Sequence, residues 1–149
     1  MMKIAVASDH GGYELKEKVV EFLKEKGYDF QDFGTFSKES VDYPDMALIV
    51  AEKVAKGEFE RGILICGTGI GISIAANKVK GIRAALCNDV YSARMSRLHN
   101  DANILAMGGR VIGPGLALLI VEEWLKTPFE GGRHKVRVDK ITNYEQGQN

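Results

Sequence analysis

The run Cys66-Gly67-Thr68-Gly69-Ile70-Gly71 is the most informative segment of the chain. It closes an apolar stretch and opens an amphipathic one, so it stands where a strand hands over to a helix. Glycines at such a junction let backbone N–H groups converge on an anion at the positive end of a helix dipole. The spacing lacks the third glycine of a dinucleotide fingerprint, because Ile72 stands at that place, and the Gly-Lys-Ser/Thr of a P-loop is missing. Asp89 lies about twenty residues further on, where a ribose-binding acid belongs, which keeps a nucleotide reading open. Cys66 sits where the helix dipole and backbone donors favour a thiolate, a form able to take a proton from carbon. Its other reading is a small buried hydrophobe ending a core strand. Cys87 also ends an apolar stretch, but Asn88 and Asp89 follow it in place of glycines, so it reads as structural.

Other candidates cluster at similar junctions. Asp9 and His10 follow the first apolar run, and Asp9 there is either a working carboxylate or a cap for the next helix. Tyr43, beside Pro44, is a substrate contact or a hydrophobic staple. His99 opens the run His99-Asn100-Asp101 and is either a solvated side chain or an acid/base group poised near neutral pH. In Gly131-Gly132-Arg133-His134-Lys135-Val136-Arg137 the two arginines are four apart, and on a helix they share a face. Two planar forks on one face suit one phosphate; a solvated basic surface is the alternative.

The elements that must position these groups read as five strand and helix units, the pattern of a doubly wound parallel sheet with helices on both faces. Strands are expected at Lys3–Ser8, Tyr28–Phe33, Gly62–Cys66, Ile82–Cys87 and Asn103–Met107. Helices are expected from about Tyr13 to Lys26, from Pro44 to Lys56, from Gly71 to about Val79, from Val90 to Leu98 with Tyr91, Met95 and Leu98 on one face, and from Pro114 to Lys126. A tail, 129–149, is rich in basic residues and too poor in apolar ones to fold alone. In such sheets ligands bind beyond the carboxyl ends of the strands. Asp9, His10, Tyr43 and the glycine run all follow strands in the chain.

Composition bounds the rest. The 149 residues, 45% of them apolar, suffice for one domain over 1–149 and exclude a disordered or fibrous chain. Twenty basic against twenty acidic side chains argue against a nucleic-acid or anionic-membrane coat. The balance is uneven, however. Residues 1–60 carry 8 basic and 13 acidic groups, and all seven arginines lie beyond them. Two distant cysteines make neither a redox pair nor a zinc ribbon, so a reducing, cytoplasmic setting is expected. The run Ile4–Ala7 is too brief for a signal peptide, and no apolar stretch is long enough to cross a membrane.

The blocks SDHGGYELK, SVDYPD, ICGTGIGISIAANKV, RLHNDANILAMGGR and GGRHKVRVDKI, in that order and over nearly the whole chain, resemble the type B ribose-5-phosphate isomerases. That family includes the galactose-6-phosphate isomerase subunits. The resemblance implies a five-stranded Rossmann-like fold, no metal or organic cofactor, and interconversion of ribose 5-phosphate and ribulose 5-phosphate through an enediolate, a step of the pentose phosphate pathway. By the same resemblance Cys66 is the base, and Thr68 with the amides of Gly67, Gly69, Ile70 and Gly71 holds the enediolate charge. His99, assisted by Asp9, opens the furanose ring. His10, Tyr43 and Asn100 touch substrate, and Arg110, Arg133 and Arg137 clamp the phosphate. The same chemistry on allose 6-phosphate or galactose 6-phosphate is an alternative, as is a binding module for nucleotides or sugar phosphates without turnover. Independently of family, His99 and Asn100 precede the fifth strand and so belong at the sheet's amino edge, opposite Cys66. A homodimer or dimer of dimers with shared sites is therefore expected, with the tail packed on the partner subunit.

Overall fold

The apolar runs become the strands of one parallel sheet in the computed structural model, which describes residues 2–147. These are β1 (Lys3–Ser8), β2 (Asp29–Asp32), β3 (Arg61–Cys66), β4 (Ala84–Leu86) and β5 (Ile104–Gly108), arranged β2-β1-β3-β5-β4. The six α-helices are α1 (Tyr13–Glu25), α2 (Tyr43–Ala55), α3 (Ile70–Ala76), α4 (Val90–Leu98), α5 (Pro114–Lys126) and α6 (Arg133–Glu145). Successive strand residues point to opposite faces, so a strand covered on both sides must be apolar throughout. Ile4, Val6, Ile63, Ile65, Leu105 and Met107 face α1, α4 and α5, where Trp124 is fully buried. Ala5, Ala7, Leu64, Ile104 and Ala106 face α2 and α3. The expected doubly wound α/β architecture is the one found, and Arg133 does open a helix.

Two local differences from the sequence expectation have identifiable causes. The third helix stops at Ala76 instead of near Val79, and β4 is shorter than Ile82–Cys87. Asn77 is responsible for part of both. Its amide donates to the Ala84 carbonyl and accepts from the Ala84 N–H, while the Arg83 N–H donates to Asn103 Oδ1. The face of α4 also differs. Tyr91 is 69% exposed, and the buried residues are Ala93, Ser96 and Arg97. A buried guanidinium is tolerated because carbonyls satisfy it: Arg97 donates to the oxygens of Thr127 and Ala102 and to Asp101 Oδ1.

The strand order sets the site. From β1 the chain moves outward to β2, and β3 then lies on the other side of β1. The loops after β1 and β3 therefore diverge, opening a crevice at their carboxyl ends.

Candidate active site

At that carboxyl edge the loop after β1 forms a short 3-10 turn, His10–Gly12, capped by Asp9. Asp9 is buried, and its Oδ1 accepts from the Gly12 N–H at 3.1 Å. Gly11 lies against the Gly67 amide: a Cβ added at Gly11 would come 3.1 Å from the Gly67 nitrogen. The glycine run follows β3 directly. Cys66 is 4% exposed, and the Gly69 N–H donates to its Sγ at 3.1 Å. Thr68 is exposed, and its Oγ1 accepts from the Ile70 N–H at 3.1 Å, so the hydroxyl sits at the open end of α3. Gly69 takes a left-handed φ of 80° with no room for a side chain, since a Cβ there would lie 2.5 Å from Leu86 Cδ1 and 2.7 Å from the Met107 carbonyl carbon.

Two more elements close around the run. Tyr43, the first residue of α2, lays its ring so close over Gly71 that a Cβ there would fall 2.6 Å from it. After β5, the Gly109 and Arg110 N–H groups donate to the carbonyls of Cys66 and Gly67 at 2.8 and 3.0 Å. The Arg110 guanidinium reaches back over Gly67. His10, Gly11, Gly109 and Arg110, with Glu14 and Lys38, line a pocket of about 270 Å³.

The 33–42 loop that completes this edge is anchored by a buried ion pair. Fully buried Lys16 donates to Asp32 Oδ2 at 2.6 Å, and Asp32 Oδ1 accepts from the Gly34 N–H. Gly34 and Thr35 exchange hydrogen bonds with the backbone of Ser8. Further along, the Val41 N–H donates to His10 Nδ1 at 3.2 Å. Neutral His10 therefore carries its proton on Nε2. Lys38 pairs with Glu14 at 2.6 Å, which holds the carboxyl below and the ammonium above their ordinary ranges. Sequence reasoning singled out neither Glu14 nor Lys38.

The other predicted residues lie at the amino edge. His99 caps the end of α4, and Asn100 and Asp101 follow in a loop tied by Arg83, which donates to the carbonyls of both. The Glu130 N–H donates to the Leu98 carbonyl, joining the start of the tail to the end of α4. There His99 stacks on His134, with centroids 4.0 Å apart and planes 12° from parallel. Arg133 and Arg137, one turn apart on α6, line a pocket of about 340 Å³ with both histidines and Asn100. Burial, then the nearby His99 and Arg133, push the His134 imidazole below its ordinary value. His134 is the residue the sequence reading passed over; no local signal marked it, since its place in the pocket comes from the docking of α6 and the start of the tail against the end of α4.

The remaining sequence candidates are accounted for structurally. Asp89 caps α4, accepting from the Ser92 N–H and hydroxyl, hydrogen bonds that hold it below the usual carboxylate range. That removes the only acid supporting a nucleotide site. Cys87 is buried, and desolvation pushes its thiol up to about 11. A larger cavity of about 400 Å³, lined by Asn77, Arg83, Asn100, Ile141 and Glu145 among others, is remote from the cysteine edge.

One chain thus holds two groups of candidate residues at opposite ends of its strands: Asp9, His10, Tyr43, Cys66 to Gly71 and Arg110 at one, His99, Asn100, Arg133 and Arg137 at the other. The sequence profile described as ribose/galactose isomerase matches residues 4–141, most of the chain. The chain belongs to the ribose/galactose isomerase family. Within that family, ribose-5-phosphate isomerase B of Escherichia coli (strain K12) is 55% identical over 149 residues, covering 100% of both chains. D-erythrulose-4-phosphate isomerase of Pectobacterium atrosepticum is 45% identical over 146 residues, covering 97% of this chain and 96% of its own. The solved structure of Clostridium thermocellum ribose-5-phosphate isomerase B superposes with a TM-score of 0.96 at 64% identity, covering 98% of this chain and 99% of that one.

Proposed function

We propose that the chain interconverts D-ribose 5-phosphate and D-ribulose 5-phosphate. The observation that carries this is the coincidence of full-length 55% identity to an enzyme of that name with a thiol set at a glycine-lined helix start. In the proposed reaction His99 moves a proton from the anomeric hydroxyl to the ring oxygen, and Asp9 assists, giving the open-chain aldehyde. Cys66, as thiolate, takes the proton from C2. The electron pair moves into a C1–C2 double bond, and the aldehyde oxygen becomes an enediolate oxyanion. Thr68 and the amides of Gly67 to Gly71 stabilise that charge, since preorganised donors act most strongly where charge develops. Transfer of the O2 proton to O1, with return of the proton from Cys66 to C1 as the C2 carbonyl forms, yields the ketose and restores the thiolate. Arg110, Arg133 and Arg137 bind the phosphate, and His10, Tyr43 and Asn100 contact the sugar.

This scheme requires both edges of the sheet, which supports a dimer in which His99, Asn100, Arg133 and Arg137 serve the partner's Cys66. The free thiols of Cys66 and Cys87 fit a reducing, cytoplasmic compartment. The four-carbon sugar phosphate in the name of the 45%-identical relative supports a second reading, the same proton transfer on a sugar of different length. Incubation with four-, five- and six-carbon aldose phosphates in deuterated water, with chelator present, separates them. Ribose 5-phosphate is expected to give ketose carrying solvent deuterium at C1 with the highest kcat/KM. Absence of turnover on every aldose phosphate would contradict an isomerase activity.

A further inference from the structure

The three groups His99, Glu130 and His134 at the amino edge have a second capability, which the isomerase scheme does not use. Their ligand atoms all lie within 4.8 Å of one another. His134 is 5% exposed, and its Nε2 has no hydrogen-bond partner among the described residues. Glu130 Oε2 lies 3.9 Å from it, beyond hydrogen-bond reach. A buried ring nitrogen without a partner costs desolvation energy that a ligand bond would offset. Two imidazoles and a carboxylate are a donor set for a borderline transition-metal ion, and the same trio leaves a fourth position for water.

We infer that His99, Glu130 and His134 form a capture site for a divalent transition-metal ion such as Zn²⁺, and that an ion held there inhibits the enzyme. Metal–nitrogen bonds of about 2 Å put tetrahedral donors about 3.3 Å apart, so the trio must contract. Glu130 is exposed and His99 only partly buried, so the carboxylate can swing in and the His99 ring can turn out of the parallel stack. Arg133 and Arg137 line the same pocket. Their charge weakens cation binding, which suits reversible capture over permanent occupancy. Inhibition rests on the proposed role of His99 in ring opening; binding does not.

The test separates the two. In the Cys66→Ala chain, which has no thiolate at the carboxyl edge, Co²⁺ is expected to give the visible bands of a nitrogen and oxygen site, and calorimetry with Zn²⁺ one ion per chain. Glu130→Gln, an exposed change that leaves folding and basal isomerase activity intact, is expected to weaken binding and Zn²⁺ inhibition by about tenfold or more. Failure of Cys66→Ala to bind either metal, or unchanged affinity in Glu130→Gln, overturns the site. One bound ion per chain without inhibition upholds the site and contradicts the role given to His99.

Discussion

Two cysteines end or follow strands of the same sheet, and their surroundings separate them. The Gly69 N–H points at Cys66 Sγ, whereas burial pushes the Cys87 thiol up to about 11. Alkylation of the folded protein by iodoacetamide near neutral pH is therefore expected at Cys66, with protection by sugar phosphate, and at Cys87 only after denaturation. Mass spectrometry of the labelled peptides reads both, and labelling of Cys87 in the native protein would contradict the contrast. Gly69→Ala is the sharper steric test. It forces a Cβ into a left-handed position against Leu86 and Met107, so activity should be lost with a stability cost of about 2 kcal/mol, read by urea unfolding. This motif was legible in the sequence because glycine chemistry is local. Glu14, Lys38 and His134 were not, since what brings them to the pockets is the docking of the loops and of α6.

At the scale of elements, the alternation of apolar runs and helical periodicity located the five strands and α1 to α5, because burial on both sheet faces demands it; α6 lies in the basic tail, where apolar periodicity is too weak to mark a helix. The errors came where side chains compete with periodicity. Arg97 occupies the inner face of α4 because carbonyls satisfy it, and Tyr91 is left outside. Lys16 is likewise fully buried within the amphipathic pattern of α1, paired with Asp32. Asp32→Asn keeps the acceptor for Gly34 but leaves the buried ammonium only its contact of 3.2 Å with half-exposed Glu17, and should cost about 2 kcal/mol in chemical denaturation. Lys16→Met, which removes the charge that needs a partner, should cost less. A larger loss for Lys16→Met would contradict the view that the cost lies in a buried charge deprived of its partner. The helix junction at the amino edge has a pH signature. His134 is held below the ordinary value of 6.5, so the unfolded chain binds its proton more readily. Its contribution to stability is present above about pH 6.5 and is lost as pH falls. His134→Gln should flatten the decline in urea midpoint between about pH 7 and about pH 5; an unchanged slope would assign the acid sensitivity elsewhere.

For the whole molecule, the uneven arginine distribution resolves into two duties. Arg61 holds the end of α5 by donating to the carbonyls of Trp124 and Leu125, and burial lowers it to about 10. Arg83 and Arg97 brace the loop that presents His99 and Asn100, and Arg94 pairs with Glu123. Arg110, Arg133 and Arg137 remain for the proposed phosphate site, one at the carboxyl edge and two at the amino edge. The sheet separates them within a chain, as it separates Cys66 from His99. That separation followed from strand order alone, because a residue preceding a parallel strand and one following its neighbour lie at opposite edges. What sequence did not reveal was how the tail helix seals the amino-edge group through the His99 and His134 stack. The central claim is that the two groups of one working site come from two chains. Cys66→Ala and His99→Ala proteins, each inactive alone, are unfolded together, refolded and assayed for isomerisation of ribose 5-phosphate. Sharing predicts recovery of about a quarter of the wild-type rate per chain, because about half the dimers are mixed and each mixed dimer regains one intact site. No recovery in verified mixed dimers would contradict it.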